Sequence, residues 1–208
     1  MIDWVLTYWT EILGFATGLA CVALSARRNV WNFPIGIANN LVFLVIFGSA
    51  GLYALAGLQL VYLGFAVHGW LHWARGVEKE RFYVARTPAR TWPWLVAAGG
   101  AGALVLWWAL TTFTDSPLPV ADAATTAGSL VAQYLLNRKR IENWYVWIVV
   151  DVAYVGIALV TGLWITAVLY LVFIALCVYG LLSWRRIESE KRDAATRANN
   201  DAVVQSRG

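Results

Sequence analysis

The chain has 208 residues, of which 60% are hydrophobic and only 13% charged, with a net charge of +4 and a mean hydropathy of +0.61. Soluble domains run at about 45–50% apolar and about 25% charged, so a water-soluble fold of this size could not hide so much apolar surface. The basic residues sit in short stretches between apolar runs, which speaks against a nucleic-acid-binding role. The 13 Trp and 9 Tyr suit bilayer interfaces instead.

The first residues, Met1-Ile2-Asp3-Trp4, are acidic rather than basic, and no small-residue cleavage site follows. The first apolar stretch therefore reads as a retained membrane helix. A helix crosses the hydrocarbon core with about 20 residues. Seven runs meet that need, roughly Thr7 to Ala26, Val30 to Phe47, Leu52 to Ala74, Trp92 to Phe113, Ala121 to Leu136, Trp144 to Val160 and Leu163 to Trp184. The fifth is short. Two connections, Gly48-Ser49-Ala50-Gly51 and Thr161-Gly162, read as tight uncharged turns.

Charge placement tests the count. With seven spans, one side of the membrane holds Arg27-Arg28, the stretch from Arg75 to Arg90, Arg138-Lys139-Arg140 and the tail from Arg185, which together carry all 16 Lys and Arg. The opposite side holds the amino terminus, the two tight turns and Thr114-Asp115-Ser116-Pro117, with no basic residue. The positive-inside rule then places the amino terminus outside and the carboxyl terminus in the cytoplasm. Residues 1–187 form the seven-helix unit, and the polar tail 188–208 reads as an amphiphilic or disordered cytoplasmic extension.

An internal repeat organises the spans. Gly51-Leu52-Tyr53, Gly69 and Trp73 recur a hundred and eleven positions later as Gly162-Leu163-Trp164, Gly180 and Trp184. Arg27-Arg28 before Trp31 echoes Arg138-Lys139-Arg140 before Trp144 at a slightly different offset. The first triplet (about 7–74) thus matches the third-to-last through last spans (about 121–184). The fourth span (about 92–113) returns the chain to its starting side. The expected fold is an all-α membrane protein of seven helices, in the 3+1+3 parallel-repeat arrangement of SWEET-like carriers.

Polar side chains at bilayer depth are costly and tend to face a cavity or a partner. In span five, Asp122, Thr126, Ser129 and Gln133 share one helical stripe, as do Trp144, Trp147, Asp151 and Tyr154 in span six. Span two adds Asn39 and Asn40, and span three adds Gln59 and Tyr62. Indole faces stack on planar heterocycles and attract cationic ones, amides and hydroxyls suit sugar hydroxyls, and Asp151 can offset positive charge. The set fits a small, planar, polyhydroxylated solute. Other readings stay open: Trp144 as an interfacial anchor, Thr126 and Ser129 as helix-packing groups, Asp122 as a helix cap, and Asp151 as a protonated group or one bonded to Asn39, Asn40 or Tyr154. Cys21 and Cys177 read as small buried side chains, and His68 and His72 lack a third ligand, so neither a metal nor a cofactor is expected.

The run Asn143-Trp144-Tyr145-Val146-Trp147-Ile148-Val149-Val150-Asp151 resembles the N-W-x-x-W-x-x-x-[N/D] signature of PnuC-type vitamin transporters. Asp122 through Gln133, Gly36 with Asn39, and Leu52-Tyr53, Leu58-Gln59 and Gly69-Trp70 resemble that family's fifth, second and third spans, so the similarity covers roughly Gly14 to Trp184. The resemblance implies a homotrimer with one pathway per protomer in the bacterial cytoplasmic (inner) membrane. It implies facilitated diffusion of a B-vitamin precursor, nicotinamide riboside first, trapped by a cytosolic kinase. Carried over by position, Trp144, Trp147, Asp151, Gln59, Asn39 and Gln133 line the ligand site. Relatives often have Asn where this chain has Asp151, which leaves riboflavin, thiamine or proton coupling open. A retinal protein is excluded because Lys79, Lys139 and Lys191 lie in loops or the tail; a non-retinal sensor remains the rival, and no catalytic constellation suggests an enzyme.

Overall fold

A computed structural model describes residues 2–49, 51, 53–77, 84–114 and 116–205. The expected start of span three at Leu52, Ala50 in its turn, Asp115, part of the Arg75–Arg90 loop and the end of the tail lie outside the described residues. Seven α-helices account for nearly all of it: α1 (Ile2–Ala26), α2 (Asn32–Ser49), α3 (Tyr53–Val77), α4 (Trp92–Phe113), α5 (Pro119–Asn137), α6 (Asn143–Val160) and α7 (Trp164–Gln205). Each coincides with one apolar run of the sequence. Pro93 and Pro119 sit in the first turns of α4 and α5, where a missing N–H costs nothing.

Among the described residues, four helical stretches are long and apolar enough to cross a membrane: Asn32–Ser49, Ala89–Phe113, Asn143–Val160 and Trp164–Ala194. Ile12–Ala26 is a shorter apolar helix. The helices α3 and α5 are less apolar because they carry histidine, amide, hydroxyl and carboxyl side chains.

The tail, read from the sequence as amphiphilic or disordered, continues α7 as one helix to Gln205. Its Ala, Glu, Lys and Arg residues are strong helix formers, and Arg186 pairs with Glu190 one turn on at 3.0 Å.

Helix contacts close a ring. Among the described residues α1 packs on α2, α2 on α3, α3 on α5, α5 on α6, α6 on α7, and α7 back on α1. Outside the ring, α4 packs on α5 and on its own leading 3-10 turn, Ala89–Thr91. Its Trp94, Leu104, Val105 and Trp108 are exposed, as expected of a helix solvated by lipid.

Positions a hundred and eleven residues apart share unusual backbone. Gly51 and Gly162 turn the chain at φ 76° and 74°, and Arg28 and Lys139 adopt φ 59° and 56°. The first pair is glycine for the usual steric reason. The second pair follows the ends of α1 and α5, and each amide reaches back to close the helix, Arg28 N–H to Ser25 O at 3.0 Å and Lys139 N–H to Leu136 O at 2.8 Å. This register pairs Phe33 with Trp144, so the sequence match between Trp31 and Trp144 was two positions out. Trp31 is 67% exposed, whereas Phe33 and Trp144 are buried.

One end of the ring is sealed by aromatic rings. Trp73 and Trp184 are wholly buried with Phe33 and Trp144 beside them. Phe33 meets Trp73 edge-on at 5.1 Å, Trp144 meets Trp184 edge-on at 5.4 Å, and the two central indoles lie 6.2 Å apart. Trp73 Nε1–H donates to Asn137 O (3.2 Å) and Trp184 Nε1–H to Ala26 O (3.3 Å), the last residues of α5 and α1. The Lys139 ammonium sits 5.8 Å over the Trp73 ring.

Outside this plug, the segment before α4 straps the same end together. Ala85 pairs with the α5–α6 connection at Arg140, Thr87 donates to Glu142, and Arg86 donates to Glu188 on α7 at 2.6 Å and 3.1 Å.

A Cβ on Gly180 would stand 2.6 Å from the Trp144 ring, whereas nothing lies within 4 Å of one on Gly48. Gly180→Ala is expected to destabilise the protein by about 1–3 kcal/mol through overpacking. Gly48→Ala should stay within about 1 kcal/mol of the parent. Thermal unfolding in detergent measures both.

Candidate functional site

The ring encloses a cavity of about 350 Å³ whose wall comes from α1, α2, α3, α5, α6 and α7, with nothing from α4. Its floor is the aromatic plug, represented in the wall by Phe33 and Trp144. Ligand cavities fall in the range of roughly 300–1,000 Å³ and are mostly apolar with a few placed polar groups. This one fits both descriptions.

From α6, Trp144, Trp147, Asp151 and Tyr154 all reach the wall, so the stripe read from spacing is real. From α5, only Ser129 and Gln133 of the expected stripe do. The Ser129 hydroxyl donates back to Thr125 O (2.8 Å), and Gln133 Nε2 donates to Asn137 Oδ1 (3.0 Å). Asn39 and Asn40 of α2 and Tyr62 of α3 are wall residues as expected.

Three expected residues are not. Gln59 and Thr126 are half-buried but absent from the wall. Asp122 accepts a 2.5 Å hydrogen bond from Ser116 Oγ in the first turn of α5, the cap itself being Leu118. A carboxylate near that helix N-terminus is stabilised by the unpaired N–H groups there. The physical reason for all three is depth: they sit about a turn or more farther from the floor than the wall extends on their helices.

Asp151 dominates the electrostatics. It is 5% exposed, and the hydrogen bond to its carboxyl comes from Cys177 Sγ, 3.6 Å from Oδ2. A thiol is a weak donor and a carboxylate has about four acceptor sites. Among the described wall residues none is Lys, Arg or His. A carboxyl group held in this setting is an attachment point for a cationic or hydrogen-bonding ligand. Nearby, Tyr154 and Tyr170 stack at 4.6 Å and 9° between planes, presenting flat apolar faces.

Sequence reasoning passed over the contribution of α1. Thr17, Gly18, Cys21, Val22 and Ser25 all line the cavity, with Thr17 Oγ1 accepting from Asn39 Nδ2 at 2.5 Å. Tyr170, Phe173 and Cys177 of α7 were missed too. The repeat was the signal that finds many of these. Wall residues pair at the repeat spacing as Gly18 with Ser129, Val22 with Gln133, Ser25 with Leu136, Phe33 with Trp144, Gly36 with Trp147, Asn40 with Asp151, Tyr62 with Phe173 and Ala66 with Cys177. Both cysteines are free; Cys177 is buried, Cys21 only half-buried, and both face the cavity. His68 and His72 stack in parallel at 6.3 Å on the exposed side of α3. Among the described residues no third metal-binding side chain joins them.

The chain is similar along most of its length to known proteins. The chain is 29% identical over 184 residues to the riboflavin/roseoflavin transporter RibM of Streptomyces davaonensis, covering 85% of this chain and 84% of that one. It is 24% identical over 216 residues to the nicotinamide riboside transporter PnuC of Escherichia coli K12, covering 90% and 89%. Among solved structures, the crystal structure of the vitamin B3 transporter PnuC superposes with a TM-score of 0.68 at 24% identity, over 88% of this chain and 83% of that one. Residues 8–186 match the family described as Nicotinamide mononucleotide transporter. This chain, with its apolar helices ringed around an aromatic cavity, therefore belongs to the nicotinamide mononucleotide transporter family, a family of multi-pass membrane transporters that includes PnuC.

Proposed function

We propose that this protein carries nicotinamide riboside inward across the bacterial cytoplasmic membrane by facilitated diffusion, and that cytosolic phosphorylation traps it. The observation that carries this reading is Asp151, a buried carboxylate on an aromatic wall among whose described residues no cation stands. A pyridinium ring is planar and permanently positive. It stacks on Trp147 with a cation–π gain of roughly 0.5–2 kcal/mol, and its charge answers Asp151. A phosphorylated product carries extra negative charge, which the same carboxylate repels.

Riboflavin is the second reading, favoured by the 29% identity to RibM. Its neutral ring system stacks on the same indoles and tyrosines but leaves the Asp151 charge unanswered. Asp151 separates the two readings.

The architecture supporting transport is the 3+1+3 parallel repeat, α1–α3 and α5–α7 related by an axis along the membrane normal, with α4 as the linker helix. The ring order and the paired backbone conformations support it, because a half-turn that exchanges the two triplets leaves the order of contacts unchanged. The cavity then lies on the axis, as in carriers that rock one repeat against the other. The charge distribution supports an amino terminus outside and a carboxyl terminus in the cytoplasm, with the aromatic plug on the cytoplasmic side. A homotrimer with one pathway per protomer follows the family resemblance.

Labelled nicotinamide riboside should enter proteoliposomes containing the protein, and Trp147→Ala should abolish the uptake. Asp151→Asn should raise the half-saturating concentration about tenfold or more, the loss of one charge-assisted contact. Transport of riboflavin with nicotinamide riboside inert would sink the substrate reading. For the orientation, Ser116→Cys should react with a membrane-impermeant maleimide in intact cells and Ser189→Cys only after permeabilisation, both made after replacing Cys21 and Cys177 by alanine. The reverse pattern would overturn it.

A further inference from the structure

The carboxyl of Asp151 is tied to a cysteine on the neighbouring helix. Cys177 Sγ donates to Asp151 Oδ2 at 3.6 Å. The two residues are buried, at 2% and 5% exposure, and both belong to the cavity wall. A buried cysteine ordinarily serves as a small apolar filler with a weak donor. Two observations give this one more to do.

The first is where Cys177 stands. On α7, Cys177, Gly180, Leu181 and Trp184 share one helical stripe, at i, i+3, i+4 and i+7. Cys177, Leu181 and Trp184 are buried in the same core as Phe33, Trp73 and Trp144, and Gly180 lies against the Trp144 ring. The thiol therefore projects from a wall already fixed by the aromatic plug. A carboxyl has no such stiffness of its own, because the torsion that turns its two oxygens is broad.

The second is the repeat. At the repeat spacing Asp151 answers to Asn40 and Cys177 to Ala66, and all four line the cavity. An amide carries donors and an acceptor in one group, whereas an ionised carboxyl carries acceptors alone. The half with the amide has alanine at the second position, and the half with the carboxyl has a thiol there. A donor is supplied where the polar group lacks one. Among the described wall residues no Lys, Arg or His offers another.

We propose that Cys177 is a positioning residue: its thiol holds Oδ2 of Asp151 and leaves Oδ1 to meet the solute. The pair acts as a unit in which α7 sets the direction of a carboxyl carried by α6. This rests on the reading of Asp151 as a polar contact of the transported solute, and adds the side chain that orients it. A thiol suits the task because it is a weak donor, so it aims the carboxyl while the remaining acceptor sites stay open to a ligand.

The contact is tested without any ligand. The chain has two cysteines, so Cys21→Ala leaves the Cys177 S–H stretch as the one thiol band in the infrared spectrum of the purified full-length protein. Adding Asp151→Leu, which fills the space and removes the acceptor, should move that band to higher frequency. An unmoved band would overturn the proposal.

The positioning is tested by a double-mutant cycle on the half-saturating concentration for uptake into proteoliposomes, with nicotinamide riboside and with riboflavin. Cys177→Ala should raise that value about threefold or more for the transported vitamin, with the maximal rate changed less. Cys177→Ser, whose hydroxyl also donates, should restore it. In the Asp151→Asn background, where the amide has donors of its own, Cys177→Ala should change little. An equal factor in both backgrounds, or no recovery with serine, would overturn the proposal, since either marks a packing effect. Uptake of neither vitamin would overturn the transport reading, and the infrared band would then decide the contact by itself.

Discussion

Two indole N–H groups hold the ring of helices together at its seams. The last turn of any helix leaves carbonyl oxygens without partners, and where water is scarce such an orphan costs several kcal/mol. Here α5 ends at Asn137 beside α3, and α1 ends at Ala26 beside α7. Trp73 and Trp184 supply the missing donors across those seams. Each bond joins one triplet of helices to the other, so both must form for the ring to close at this end. The close approach they require explains Gly69 and Gly180, where a side chain would collide with Phe33 and Asn137 or with Trp144. With the seams fixed, the aromatic plug has a place to sit, and the cavity has a floor.

Polarity is distributed as a lipid solvent demands. The ring turns Asn39, Asn40, Gln133 and Asp151 inward and leaves Val45, Leu60, Val149 and Val168 exposed on its outer surface. A carboxylate at that depth is tolerable only where a ligand, a donor or water can meet it. The strap from Ala85 to Thr87 does comparable work outside the apolar zone. It ties the connection between α5 and α6 to the extension of α7, using backbone pairing and charge-assisted bonds that water permits at the surface.

Much of this was legible in the sequence because membrane folds obey few rules. Apolar length found seven helices, and α4 matched its expected limits from Trp92 to Phe113. The α6 stripe was found because 3.6-residue spacing suffices to place Trp144, Trp147, Asp151 and Tyr154 on one face. Spacing gives a face but not a depth, and so Asp122 and Thr126 joined a stripe whose outer end leaves the cavity. Gln59, read from its polarity and the resemblance rather than from a stripe, also lies outside the wall. The register of the repeat was blurred at Trp31, because an aromatic two places from an aromatic looks like a match until the backbone turn at Arg28 aligns with that at Lys139. The α1 wall escaped notice since Gly18 and Val22 carry no polar pattern; only their counterparts Ser129 and Gln133 in α5 do. The state of the tail was left between an amphiphilic and a disordered extension because its polar composition hid good helix formers.

The paired wall positions have one more implication. Where the first triplet offers Gly18, Val22, Gly36 and Asn40, the second offers Ser129, Gln133, Trp147 and Asp151. A frame that is nearly symmetric is therefore furnished unequally: one half recedes to make room, and the other reaches in with aromatic faces, donors and charge. At these paired positions whatever occupies the cavity meets an indole, an amide, a hydroxyl and a carboxyl on one side and little more than backbone at Gly18 and Gly36 on the other.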